Sequence, residues 1–238
     1  MIGLFPQGKD QWLSSVWRQN QTTSKEESHR QWNAEDITRK ARVACGTHNN
    51  GLMSTIENES KPMLTELILE PRGLRKLTER QQRLIANWVT LRAMVYDRAR
   101  NTDFCFSADQ IAQLRDSDPG KRKPPTNSHV WLATVADDVA LEVFGQLYSR
   151  TTPDGTKSFN VFNCLLGKIA IQVFGRRGLS TQGIVDPGTI NFLQLQEPSW
   201  NDFSVRIWPR PVQDRSWPPP KRLTSENIMT YYGRFYAG

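Results

Sequence analysis

Cys45-Gly46-Thr47-His48-Asn49-Asn50-Gly51-Leu52-Met53-Ser54 is the stretch from which the fold is read. It follows a basic, strand-like run from Ile37 to Ala44 and leads into a second periodic run. There Leu52, Met53, Ile56, Met63, Leu64, Leu67 and Ile68 recur at steps of three and four, which predicts an amphipathic helix. Pro62 falls inside that helix and predicts a kink or the start of a second segment. Asn49-Asn50-Gly51 predicts a tight turn ahead of it. A thiol and an imidazole three residues apart, Cys45 and His48, stand at this strand–turn–helix junction with the spacing of half a zinc site. Structural zinc takes four ligands, so two more are required. A buried cysteine with a surface histidine beside a turn is the other reading of the same spacing.

Composition bounds what the chain can be. Its 238 residues suffice for one sizeable domain or two small ones. Hydrophobic residues make up only 37%, and the mean hydropathy of −0.59 agrees with a large polar surface. No apolar run reaches the ~18 residues of a membrane-spanning helix. No basic-then-apolar leader opens the chain, so a cytoplasmic protein is expected. Three cysteines, Cys45, Cys105 and Cys164, are too few and too scattered for a disulfide framework. The net charge of +7 and pI near 9.5 favour a polyanionic partner, DNA or RNA, because each neutralised phosphate releases a condensed counterion. Solubility alone is the plainer explanation of the same charge.

Along the chain, Trp12, Leu13, Val16 and Trp17 have helical spacing and predict a short helix. Residues 18–36 are polar and nearly free of aliphatics, so an exposed loop carrying His29 is expected. Thr38 to Ala44 alternates and predicts the strand into the Cys45 turn, with Arg39, Lys40 and Arg42 placed to meet phosphate or simply water. Thr78 and Gln81 form a capping box at the head of a second helix, which runs to about Arg100 and buries Leu84, Ile85, Trp88, Val89, Leu91, Met94 and Val95. Ser107 and Gln110 repeat the box for a short helix ending near Asp116. The turn-rich stretch Asp118 to Asn127 is the linker candidate, and its Lys121, Arg122 and Lys123 are candidate backbone contacts for nucleic acid.

Beyond it, strands are expected at His129–Val135, Val139–Tyr148, Phe159–Phe174, Thr189–Leu195 and Phe203–Trp208. An Asp154-Gly155 turn joins the second and third of these. The Gly167–Phe174 part could instead be helical, since apolar residues there run almost unbroken. Trp217 to Pro220 reads as extended, and Thr224 or Ser225 as the cap of a last helix through Tyr232. Asp137-Asp138 reads as a turn. No glycine-rich phosphate loop, nucleophile elbow or internal repeat is present.

Cys45 to Glu57, followed by Lys61-Pro62-Met63-Leu64, resembles the second half of the treble clef in a family of bacterial and phage HNH endonuclease-like proteins. The matching positions are Cys45, Asn49, Asn50, Gly51, Met53, Ser54, Glu57, Lys61 and Pro62. His48 stands where that family usually has Cys, and Leu52 where it has Trp. The resemblance continues through Leu84–Val95, Gly167–Val173, Ile207-Trp208-Pro209 and Trp217–Pro220. A Cys-x-x-Cys pair and a Glu-His element, whose His is the general base, normally open such proteins. Here Gly8-Lys9 and Trp12-Leu13 resemble what normally lies just after that His, so either the start is truncated or the member is degenerate.

The resemblance implies Zn²⁺ on Cys45 and His48 with an incomplete ligand set. It also implies Asn49 as a helix-side ligand for Mg²⁺ or Mn²⁺ if the chain is catalytic. His29 is the one base available before residue 45. The expected fold is α+β. A degenerate treble-clef (ββα-metal-like) region, 1–70, is followed by a helical region, 71–117, and a strand-rich region with a closing helix, 128–238. The expected function is nucleic-acid binding by an HNH-related protein that is catalytically impaired as written. The alternatives are an active metal-dependent nuclease, or a phage or mobile-element accessory factor binding a host protein, with the eight tryptophans as possible anchors.

Overall fold

The computed structural model describes residues 13–19, 26–32, 49–69, 76–98, 106–115, 118, 121–125, 127–139, 143–151, 158–178, 200–209 and 211–234. At 13–19, 26–32, 49–50, 143–144, 146, 148–151 and 158 the description is of the backbone. The elements are β1 (Leu13–Gln19), β2 (Glu26–Trp32), a π-helical turn (Asn49–Met53) running into α1 (Ser54–Leu69), β3 (Lys76–Leu77), α2 (Glu79–Arg98) and α3 (Ala108–Gln113). They continue with β4 (His129–Thr134), β5 (Val143–Thr151), β6 (Ser158–Leu166), β7 (Ile169–Arg177), β8 (Ser204–Trp208), β9 (Arg215–Ser216) and α4 (Ile228–Gly233). The fold is α+β.

Seven strands form one sheet in the order β2-β1-β5-β6-β7-β4-β8. From β5 to β8 every pairing is antiparallel, as alternation in the second half predicts, whereas β1 joins β5 in parallel. Two expectations in the first 36 residues are corrected. The helix at Trp12–Trp17 is replaced by β1 from Leu13 onward, because pairing on both sides outweighs a weak helical spacing among strand-prone Val and Trp. The loop at 18–36 contains β2, whose polar sequence suits the sheet edge that it forms. The strand expected at Thr38–Ala44 and the one at Thr189–Leu195 lie outside the described residues.

β6 and β7 correct a third reading. The single apolar strand Phe159–Phe174 is two strands folded over Gly167-Lys168, where Gly167 takes φ +54, and no part of it is helical. An unbroken apolar run results because both faces of these strands are covered. On one face lie α1 and α2: Ile56, Leu64, Leu67, Ile85, Trp88, Val89 and Met94 pack in one core with Val130, Leu132, Phe162, Ile171, Val173 and Ile207. On the other face Ala133, Val135, Leu165 and Ala170 meet Leu223, Ile228, Tyr231 and Tyr232 of the closing segment.

Both capping boxes form as read: the Thr78 N–H donates to Gln81 Oε1 at 2.8 Å, and the Gln110 N–H to Ser107 Oγ at 3.2 Å. α3 stops at Gln113, short of Asp116. Pro62 does not divide α1, which continues to Leu69. The final cap is corrected too. Asn227 is the N-cap residue, its Oδ1 accepting from the Thr224 N–H at 2.9 Å, while Asp138 takes up Ser225.

Gly175 in β7 lies under Phe106. A Cβ there would sit 2.7 Å from Phe106 Cζ and 2.7 Å from Asn160 Oδ1. Phe106 is itself fixed, since its N–H donates to Asp97 Oδ2 at 3.0 Å and its carbonyl accepts from Arg98 Nη2 at 3.3 Å. Gly175→Ala is therefore expected to destabilise the fold by about 1–3 kcal/mol, the usual cost of overpacking. A urea midpoint equal to wild type would contradict this packing.

Candidate functional site

Of the residues singled out for metal or nucleic-acid chemistry, Arg39, Lys40, Arg42, Cys45 and His48 lie outside the described residues. Asn49 opens the π-helical turn that runs without a break into α1, so it stands at the head of that helix. His29 is in β2, paired in register with Trp17 of β1, and not in a loop. Among the described residues, no three His, Cys, Asp or Glu side chains come together as a metal-binding group. Among them too, no helix is long and apolar enough to cross a membrane.

The three consecutive cations of the 118–127 stretch separate. Lys121 and Lys123 are exposed, Lys121 lying 3.5 Å from Asp118. Arg122 is turned inward, with its Nη1 2.9 Å from Glu59 Oε2 of α1, while its carbonyl accepts from Asn87 Nδ2 of α2 at 3.1 Å. The expectation that Arg122 contacts nucleic acid is corrected: it is 3% exposed and holds the segment to both helices. The rest of the segment is also tied down, Pro125 accepting from Trp208 Nε1 at 3.0 Å and Asn127 Nδ2 donating to the Arg176 carbonyl at 2.6 Å.

A polar seam runs along α1 and α2. Arg92 pairs with Glu57, and its guanidinium lies 5.5 Å from the Trp88 ring, within cation–π range. Neither Arg92 nor Glu57 carries an apolar-period signal. Their positions 35 apart become adjacent only because α1 and α2 pack side by side.

Sequence reading missed a second cluster, on the sheet face opposite α1 and α2. Residues directly across an antiparallel pair share a face, and so do residues two apart on a strand. His129 stands opposite Phe174, and Trp131 opposite both Gln172 and Arg206. One face therefore carries His129 and Trp131 from β4, Gln172, Phe174 and Arg176 from β7, and Arg206 from β8. The His129 ring stacks on Trp131 at 5.7 Å and 16°, and meets Phe174 edge-on at 6.3 Å. Arg234, beyond α4, brings its guanidinium 5.1 Å from the Trp131 ring and 4.0 Å from that of Tyr231. Burial, then the Arg206 and Arg176 charges, push the His129 pKa down to about 4, so the imidazole is neutral at neutral pH. Its Nδ1 is buried and has no hydrogen-bond partner. Alternation in β4 alone could have placed His129 and Trp131 on one face; the arginines come from strands whose pairing the sequence does not announce.

A comparison of the chain with protein-family models, with curated proteins and with solved structures finds no match.

Proposed function

We propose that the chain is a nucleic-acid-binding protein related to the HNH endonucleases. The observation that carries this reading is the pairing of Glu57 with Arg92. It closes the Cys45–Glu57 stretch onto the Leu84–Val95 stretch, two of the segments on which the resemblance rests. Two others, Gly167–Val173 and Ile207–Pro209, supply Ile169, Ile171, Val173, Ile207 and Trp208 to the same core. Segments that resemble one family in sequence thus belong to one packing unit, which is what descent with a shared fold requires.

The net charge of +7 supplies the attraction to a polyanion. Under this reading Arg39, Lys40, Arg42, Lys121 and Lys123 meet backbone phosphates. The thiolate of Cys45 and the imidazole of His48 are donors that suit zinc.

The test is fluorescence anisotropy with labelled duplex and single-stranded DNA. Neutralising three phosphates predicts that duplex affinity falls about 40-fold between about 50 and 200 mM salt. No binding at the lower salt, or binding indifferent to salt, overturns the reading. Hydrolysis of the DNA on adding Mg²⁺ or Mn²⁺ would extend it to an active nuclease, with Asn49 and His29 the first positions to substitute.

A further inference from the structure

We draw no further inference here: the strongest candidate, the aromatic cluster that Trp200 and Phe203 form with Tyr231 of α4, packs into the core on that side of the sheet with Lys221 over the Phe203 ring, and nothing in the structure shows what would cover it.

Discussion

Arg122→Ala lowers the stability of the fold by about 3 kcal/mol, whereas Lys121→Ala and Lys123→Ala change it by less than about 0.5 kcal/mol. The contrast arises from where three adjacent cations point. The Arg122 side chain is 4% exposed and ends 2.9 Å from Glu59, whose side chain is 24% exposed. Truncation leaves a partly desolvated carboxylate without its counter-charge and removes a buried side-chain stem. The low end of the range for broken buried pairs applies, since water still reaches Glu59.

Two further variants separate charge from packing. Arg122→Met keeps most of the stem and should recover part of the loss. Combining it with Glu59→Gln should recover more, because no lone carboxylate then remains. Urea unfolding gives the measurement, with a shifted midpoint at unchanged slope. An Arg122→Ala midpoint equal to wild type would remove the inward anchor, and with it the correction of Arg122 from a nucleic-acid contact to a structural residue. The exposed pair makes the opposite prediction for binding. Under the proposed nucleic-acid reading, Lys121→Ala and Lys123→Ala should weaken salt-sensitive DNA association while leaving the midpoint in place.

This difference between Arg122 and its neighbours also marks how far the sequence can be read. Local chemistry was legible. Thr78 with Gln81 and Ser107 with Gln110 announce helix starts because each box is closed within four residues. The apolar stripe of α2 and the strand-forming runs of β4 and β8 are equally local. Pairing was not. β1 and β2 lack a strong periodic signal and exist as strands through their partners, β1 through β5 more than a hundred residues away. The inward turn of Arg122 depends on Glu59, and the His129 cluster on the register of β4 against β7 and β8, none of which has a sequence signature. Cys45 and His48 were the most conspicuous residues in the sequence, yet His129, whose pKa is pushed down to about 4, reads locally as an ordinary strand position.

His129 therefore carries the second large effect, a dependence of stability on pH. In the unfolded chain its imidazole titrates near 6.5, and in the fold near 4, first because it is buried and then because Arg206 and Arg176 repel its proton. Between these values the unfolded chain binds a proton that the native chain does not, so stability rises with pH across that interval. The contribution is complete above pH 6.5 and is lost progressively as pH falls toward 4, for a total of about 3 kcal/mol. From about pH 7 to about pH 5 the expected loss is about 2 kcal/mol.

Carboxylates add their own acid loss at lower pH. Asp138 is one of them, its pKa held below the usual value by the hydroxyl and N–H of Ser225. The informative quantity is consequently the difference between the wild type and His129→Gln, which shares those groups but has no imidazole. That difference should change by about 2 kcal/mol between the two pH values in urea melts. If wild type and His129→Gln lose stability in parallel, the ring charges freely in the fold and the neutral, cation-flanked imidazole does not exist.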